Sequence, residues 1–475
     1  MQSFVTMDST VRTTQRGDRR PSAWHRRSSA LSIFLLLSAC AVGPDYKKPE
    51  VQAPAQFKEA GDWVKANPSD AAPKGRWWEA FRDPILNALE EQVNVSNQTL
   101  AAAEARYRQA HASVKAAQSG LFPAVGYDAN ATRTRATGNR YSVALDAQWE
   151  VDLWGKIRRT VEAAKATEEA SAADVENARL SLQAELATAY FQLRVADTGN
   201  DLLVDTVKAF QSNYDLTRNR YAAGVVAKVD VVQAQTQLLS AQAQLVDLRA
   251  TRATLEHSIA VLIGKPPSGF ELTPVKLDVH IPWVPPGVPT TLLERRPDIA
   301  SAERTMAAAN ARIGIAEAAY YPSLNLSGNI GQASSELSKL FSAPARFWSI
   351  GADLAGTLLD FGARSAQVEL SKAAYDEQVA NYRQAVLGGF QEVEDNLATV
   401  HWLTEETQVE QEAVRAARES VALTLNQYKA GTVSFLNVAL VQAQQLNEER
   451  TMVTLLGRRL TATVALMRAL GGTWQ

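Results

Sequence analysis

The sequence predicts a membrane protein of mixed α and β structure, in which one series of long helices and short strands occurs twice. No proline lies between Pro123 and Pro266 or beyond Pro344, so two long stretches permit uninterrupted helices. In each half, segments with two-residue alternation interrupt the helical periodicity. A shift of 207 residues places the turn at Gly224 on the turn at Gly431, and such a repeat indicates a duplicated architecture.

Composition limits the possible classes of function. The chain has 475 residues, 46% of them hydrophobic, which is enough for a large core, and its net charge of −2 does not suggest a nucleic-acid partner. Five histidines and one cysteine cannot build a Cys/His metal cluster or an intrachain disulfide. The sequence contains no nucleophile elbow, phosphate-binding loop or metal-ligand spacing. We therefore expect no catalytic residue, no cofactor and no metal site.

Residues 1–39 are predicted to be a lipoprotein signal peptide. A basic stretch precedes an apolar run of about ten residues, which is too short to cross a bilayer as a permanent helix. The segment Leu37–Cys40 resembles the bacterial lipobox, which implies cleavage before Cys40 and diacylation of its thiol; a buried cysteine is the alternative. Ala41 at the next position resembles lipoproteins sorted to the outer membrane. Residues 40–84, rich in proline, lysine and tryptophan, are expected to be extended along the outside of the fold.

The first half, residues 85–264, begins with a helical pattern. Apolar residues at spacings of three, four and seven predict a helix from Ile85 to Gly120. No proline interrupts the stretch from Gly155 to Tyr221, which predicts a helix of roughly 100 Å at about 1.5 Å per residue. Its many alanine, glutamate, glutamine and arginine residues favour coiled-coil packing. A turn at Gly224 and a return helix from Val229 to Ile263 complete this half.

Between those helices the periodicity changes to two. Apolar and polar residues alternate from Val143 to Leu153, which predicts a strand of about the ten-residue length of a tilted membrane strand. A weaker partner strand starts at Val125, and Thr137–Asn139 marks the hairpin turn. A soluble sandwich hairpin is the alternative, although the chain has no second sheet to cover the apolar face. Four aromatic residues are candidates for an interfacial girdle: Phe122, Tyr127, Trp149 and Trp154.

A proline-rich linker, residues 265–290, is predicted to join this half to the second half, residues 291–472. A shift of 199 residues repeats the first helix, and two alternating segments, the second extending to Leu358, repeat the strand pair. Another long helix, expected to end at Tyr428, precedes the second turn. Each half therefore has the order helix, hairpin, long helix, turn, helix.

Four strands per chain cannot close a barrel, because open sheet edges in lipid leave backbone groups unpaired. Three chains would supply twelve strands, enough for a hollow 12-stranded β-barrel. The same homotrimer would combine its long helices into a helical barrel about 100 Å long. We therefore predict a channel across the membrane, with the two turns at the end of the rod far from the strands.

Several segments resemble the outer membrane factor family of TolC-like channels, and in particular its lipoprotein branch, which is OprM- and NodT-like. They are Cys40–Tyr46, Gly287–Pro289, Leu292–Ile299, Ala308–Gly314 and the two turns. The resemblance implies a trimeric TolC-like channel in outer-membrane lipid, with a helical barrel that extends into the periplasm. It also implies a passive exit duct for drugs or other small molecules. The implied partners are a periplasmic adaptor and an inner-membrane pump of the resistance–nodulation–division type.

In such channels the helix-turn tips contact the adaptor and close the idle pore. The resemblance assigns adaptor contact to four turn residues: Gly224, Val225, Gly431 and Thr432. Asp230 matches the family's acidic residue after the first turn, and Tyr428 matches its tyrosine before the second. Three copies of Asp230 would form a negative ring that favours cations. A solvated aspartate that stabilises a helix start is the alternative.

The second tip departs from TolC at two positions. Val433 stands where TolC has an arginine that locks the gate, and Asn437 stands where an aspartate ring is expected. We therefore expect an apolar or hydrogen-bonded constriction made by Val433, Phe435 and Leu436, without a salt-bridged lock.

Two other classes of protein remain as alternatives. One is the outer membrane channel of a type I protein secretion system, and the other is a non-channel trimeric coiled-coil surface protein. The second would not need alternating strands between its helices. The expected lipidation and the Arg-Arg-Pro-Asp-Ile stretch favour efflux over secretion.

Overall fold

The computed structural model describes residues 41–50, 54, 57–58, 75–278, 280–282, 284 and 295–472. The expected signal peptide, Cys40, residues 51–53, 55–56 and 59–74 of the N-terminal segment, and residues 279, 283 and 285–290 of the linker lie outside these ranges. The helices and strands of the described part follow in this order: α1 (Pro84–Ser96), α2 (Gln98–Ser119), β1 (Ala124–Thr134), β2 (Gly138–Val151), α3 (Lys156–Ala222), α4 (Lys228–Leu262), α5 (Pro297–Ala318), β3 (Ser323–Ser334), β4 (Arg346–Ala355), α6 (Ala363–Lys429) and α7 (Phe435–Ala469).

The single helix expected from Ile85 to Gly120 is wrong, because the chain breaks at Asn97 into α1 and α2. Asn97 has extended backbone angles, and its side-chain oxygen accepts from the Leu100 amide at 2.9 Å, so it caps α2. Its side-chain nitrogen donates to the Leu262 carbonyl at the end of α4, at 2.7 Å. One side chain therefore starts one helix and satisfies the end of another.

Helices meet end to end in both halves. A Cβ atom on Gly264, just beyond α4, would lie 2.2 Å from the Ser96 carbonyl oxygen, so the end of α4 abuts the start of α2. In the second half, Arg296 occupies the place of Asn97 and donates to the Ala469 carbonyl at 3.1 Å. The joined helices α2 and α4 pack along α3, while α5 and α7 pack along α6.

The long helices have equal lengths in the two halves. Helices α3 and α6 have 67 residues each, and the return helices α4 and α7 have 35 each. Both turns between them use a left-handed glycine, with φ of 73° at Gly224 and 78° at Gly431. The Val225 and Thr432 amides donate back across five residues, which is the pattern of a Schellman motif.

The strands form one antiparallel sheet in the order β1-β2-β3-β4. Strand β2 begins at Gly138 and ends at Val151, earlier at both ends than the alternation predicts. It ends there because the Asp152 carboxylate accepts from the Ile157 and Arg158 amides and so caps α3. Leu358, expected in the last strand, lies beyond the end of β4.

The main apolar core lies where α1, α3, α4, α6 and α7 meet. Its fully buried side chains include Leu86, Leu186, Phe191 and Leu460. Glu90 of α1 is also fully buried, and neither of its carboxylate oxygens has a hydrogen-bond partner among the described residues. None of the described helices is both long and apolar enough to span a membrane.

Candidate functional site: the helix tips and the N-terminal strap

The second tip contains a buried aromatic pair. Tyr428 and Phe435, on opposite sides of the turn, are 3% and 1% exposed, and their rings meet edge to face at 5.6 Å between centroids. Ala234 of the first tip and Val438 complete this cluster. The pair therefore ties the second turn to the helix that follows the first turn.

Arg220, at the end of α3, fastens the first tip to the second. Its Nη1 donates to the Tyr428 carbonyl at 2.9 Å, and its guanidinium lies 4.7 Å from the centre of the Tyr428 ring. The Thr217 hydroxyl lies 3.2 Å from the Tyr428 hydroxyl. We call this set of contacts the tip clamp; it joins the two hairpins within one chain without an ion pair.

The remaining candidate gate residues lie around this clamp. Val433 packs partly buried against the aromatic cluster, while Leu436 and Asn437 are exposed. Asp230 is half-buried in the first turn of α4, and no ion pair to its carboxylate is found among the described residues. Phe435, expected to narrow a pore, is enclosed by its own chain and presents almost no surface to one.

The four turn residues assigned to adaptor contact are all exposed: Gly224, Val225, Gly431 and Thr432. No atom lies within 4 Å of a Cβ atom built on Gly224 or Gly431, so both glycines serve the backbone conformation and not close packing.

Arg220 and Thr217 are not among the tip residues predicted from the sequence. The repeat contains a signal for Arg220, because the equivalent residue of the second half is Gln427. A charge present in only one copy of an otherwise repeated turn is a candidate for contact between the copies. Thr217 gives no such signal, since Thr424 repeats it.

Residues 41–48, the N-terminal strap, lie in a groove at the junction of the sheet and the helices. The Val42 amide donates to the Trp154 carbonyl at 3.0 Å, and a Cβ atom on Gly155 would lie 2.9 Å from Ala41 Cα. Arg159, almost fully buried, donates to the Gly43 carbonyl at 3.1 Å. The strap therefore begins beside the residues that follow β2.

The Gly-Pro-Asp-Tyr motif fits this groove residue by residue. Gly43 has φ of 100°, and a Cβ atom there would lie 2.4 Å from Gly314 Cα. The carboxylate of Asp45 pairs with Arg159 at 2.9 Å. The Tyr46 hydroxyl donates to Glu303 at 3.3 Å, and burial together with that carboxylate raises the pKa of Tyr46. The motif thus fastens the strap to α3 and α5.

Arg296 explains the Arg-Arg-Pro-Asp-Ile stretch. Its guanidinium makes two bonds to Asp298, at 3.0 and 2.7 Å, and one to Glu392 of α6 at 2.8 Å. With its bond to the Ala469 carbonyl, it joins the start of α5, the middle of α6 and the end of α7.

The family model described as "Outer membrane efflux protein" matches residues 89–265 and 288–472, so it covers both halves of the fold.

The chain belongs to the outer membrane efflux protein family.

Relatives match this outer membrane efflux protein over almost its whole length. A probable efflux pump outer membrane protein, TtgC of Pseudomonas putida, is 30% identical over 94% of this chain and 95% of its own length. A pyoverdine export outer membrane protein, OpmQ of Pseudomonas aeruginosa, is 30% identical over 94% of this chain and 97% of its own length. The solved outer-membrane channel OprN is 32% identical, with a TM-score of 0.84 over 92% of this chain and all of that chain. The fold is therefore that of a TolC-like outer membrane channel.

A buried ion cluster in this efflux protein holds the segment 270–277 against α3 and α4. Asp197, almost fully buried, accepts from Arg194 at 2.9 Å, from Arg252 at 2.7 Å and from the Val275 amide at 3.2 Å. Arg194 also donates to the Thr273 carbonyl at 2.9 Å. The start of the link between the halves is thus fixed by charge-assisted bonds. Among the described residues, no group of three histidine, cysteine or acidic side chains could hold a metal ion.

Proposed function

We propose that this outer membrane efflux protein acts as the passive exit duct of a tripartite efflux system. The duct receives drugs or other small molecules from an inner-membrane pump of the resistance–nodulation–division type, through a periplasmic adaptor. The observation that carries the proposal is the family match across both halves of a fold that attaches one four-stranded sheet to two helical hairpins of about 100 Å.

Deletion of the gene and complementation test this function. We expect the deletion strain to accumulate a fluorescent pump substrate and to become more susceptible to drugs, and the wild-type chain to reverse both effects. Unchanged accumulation and susceptibility for every compound class would contradict the efflux proposal. A loss of secreted protein from the medium would instead favour type I secretion, and a purified chain without conductance in planar bilayers would favour a non-channel surface protein.

The open sheet supports a homotrimer. Strands β1 and β4 are the outer strands of the sheet, and among the described residues no further strand pairs with their free edges. In lipid, every unpaired backbone group on those edges would cost several kcal/mol, so the edges must pair with other chains. Three chains would give twelve strands and a hollow barrel.

The tip clamp supports a gate at the turns. With Tyr428 held by Arg220, the neighbouring Leu436 and Asn437 remain on the exposed surface, where three copies would meet around an axis. Val433 and Phe435 act from beneath, as the packed support of that surface. Asp230 would add a negative ring at the first tip.

Single-channel conductance of Arg220→Ala tests the gate. Loss of the clamp should free the second tip and raise the conductance of the idle channel, and Phe435→Ala should act in the same direction. Arg218→Ala is the matched control, because it removes the same charge from an exposed side chain whose contacts, with Asp215 at 3.6 Å and with the Tyr214 ring at 5.7 Å, lie within α3 and do not reach the second tip. Equal conductance in Arg220→Ala and Arg218→Ala channels would refute the gate assignment.

The exposed turns support adaptor docking at the tips. A photo-crosslinking residue in place of Val225 or Thr432 should capture the adaptor in cells that express the whole assembly. The same residue in place of Val246, which is exposed on α4 away from the turn, should not. Equal capture from all three positions would remove the support for docking at the turns.

The position of the strap supports a lipid anchor at Cys40. Ala41, the next residue, lies against Gly155, close behind the end of β2, where a membrane surface would be expected. Radiolabelled palmitate should therefore enter the wild-type chain and not Cys40→Ser. Label in Cys40→Ser, or none in the wild type, would exclude this anchor.

A further inference from the structure

Large apolar side chains are exposed at both edges of the sheet, at the end where it joins the helices. Phe122, just before β1, is 68% exposed, while Leu358 and Phe361, just after β4, are 90% and 99% exposed. Phe361 also has φ of 53°, a left-handed conformation that is unfavourable for a bulky residue. These side chains have no apolar neighbour that covers them within the described chain.

At the equivalent position between the two halves of the chain, two aromatic side chains stack on each other. Trp154 lies just before Gly155, the left-handed glycine that starts α3, as Phe361 lies just before Gly362 at the start of α6. The Trp154 ring stacks on Tyr321, with centroids 4.7 Å apart and planes at 23°. Its indole nitrogen donates to the Pro322 carbonyl at 2.8 Å. This stack closes the junction between the two halves below β2 and β3.

The internal repeat relates the two places. A shift of 199 residues places β1 on β3, and a shift of 207 places β2 on β4, so the pair Ala124–Gln148 becomes the observed pair Ser323–Ala355. The same shifts place Trp154 on Phe361 and relate Tyr321 to Phe122. The counterpart of the Trp154–Tyr321 stack is therefore the pair Phe361–Phe122.

These two residues cannot form that pair within one chain. They flank β4 and β1, the opposite edges of a four-stranded sheet, and neighbouring strands are about 4.8 Å apart. Resting on the trimer of the proposed function, we propose that Phe361 of each chain stacks on Phe122 of the neighbouring chain. Phe122 and Phe361, which are both exposed in the single chain, then each have a defined partner.

The proposal also specifies a strand register between chains. Within the chain, Val151 of β2 pairs with Leu324 of β3. Shifted by the repeat, this pair becomes Leu358 beside Val125 of the neighbour, which covers a second exposed apolar pair. The same shifts place Ala355 opposite Asp128 of the neighbour. The rim of the closed trimer would then carry alternating Trp–Tyr and Phe–Phe stacks.

Cysteine crosslinking of the full-length chain in membranes tests the stack. The only cysteine of the sequence is Cys40, so few crosslinks can arise from native residues and those observed report on the introduced cysteine pairs. With a short bis-maleimide, Phe122→Cys/Phe361→Cys should give crosslinked dimers and trimers. The matched control Trp154→Cys/Tyr321→Cys should crosslink only within one chain.

A second cysteine pair, placed on the paired strands, tests the trimer independently of the aromatic stack. Asp128→Cys/Ala355→Cys reports closure of the barrel in the proposed register. Crosslinks between chains at Asp128/Ala355 without any at Phe122/Phe361 would overturn the stack and leave the trimer intact. A channel without crosslinks at either pair would contradict the trimer and its register as well.

Substitution of Phe361 alone gives a second test that does not depend on crosslinking geometry. Glycine relieves a left-handed backbone, so Phe361→Gly should raise heat stability if the ring only faces water. The proposed stack requires the opposite, a lower temperature of trimer dissociation in detergent, with Phe361→Trp restoring it by analogy with Trp154. A trimer of Phe361→Gly that dissociates at or above the wild-type temperature would overturn the proposal.

Discussion

Replacement of Glu90 by glutamine should change how the stability of the protein depends on pH. Glu90 lies fully buried on α1 near Leu86 and Val93, and both of its carboxylate oxygens are without a partner among the described residues. Burial raises the pKa of this carboxyl well above its ordinary value. The folded chain therefore keeps the proton to a higher pH than the unfolded chain does.

The direction and size of the effect follow from proton linkage. Below the unfolded pKa, near 4.5, Glu90 is protonated in both states and has no pH-dependent cost. As pH rises from there toward the raised folded pKa, the unfolded state gains stability by about 1.4 kcal/mol per pH unit. With an unfolding entropy of about 2.1 cal/mol/K per residue, this amounts to a fall in melting temperature of roughly 1–2 °C per pH unit.

Thermal unfolding in detergent at pH 5, 6 and 7, followed by circular dichroism, measures this effect. Glu90→Gln keeps the shape of the side chain and does not titrate, so its melting temperature should exceed that of the wild type by a margin that grows with pH. Glu91→Gln is the control, because Glu91 is the exposed neighbour and pairs with Arg76 at 2.7 Å. Parallel pH profiles of the wild type and Glu90→Gln would show that ionisation of Glu90 does not contribute to the pH dependence of stability.

Three further substitutions test other parts of the fold. Asp197→Asn should destabilise the protein by about 3–5 kcal/mol, since it leaves the buried Arg194 guanidinium without a counter-charge and Arg252 with Glu256 alone, and should expose the segment 270–277 to limited proteolysis. Asn97→Asp keeps the helix cap but turns a carboxylate toward the Leu262 carbonyl, so a loss of about 1–3 kcal/mol is expected in chemical denaturation, where a pure capping role predicts none. Gly43→Ala places a Cβ atom 2.4 Å from the α5 backbone and should release the strap to protease, whereas Gly224→Ala, with open space around it, should not.

The long elements could be predicted from the sequence because single residue types determine them. The absence of proline and the repeated glycine turn place α3 within one residue of its observed ends, Lys156 and Ala222. The alternation of apolar and polar residues identifies β2, because a strand with one apolar and one polar face repeats every two residues. The family match then supports the channel fold that the resemblance implies.

Features that depend on contacts between distant segments were not predictable. The break at Asn97 depends on the Leu262 carbonyl, 165 residues away, and no local pattern reveals that acceptor. The buried position of Phe435 depends on Tyr428 and the first tip, and no local pattern shows that this side chain packs within its own chain. The groove around Gly43 is likewise made by residues far along the chain.

The matched lengths of the two hairpins also constrain how such a protein can evolve. The tip clamp requires Arg220 and Tyr428 to lie at the same depth, at the ends of two helices of 67 residues each. An insertion of one heptad in a single arm would displace one tip by about 10 Å and separate that pair. A longer or shorter rod is therefore reached only when both arms of both hairpins change by the same number of residues. Descendants of this chain should differ in the length of the helical rod by matched sets of insertions. Single insertions should be confined to loops.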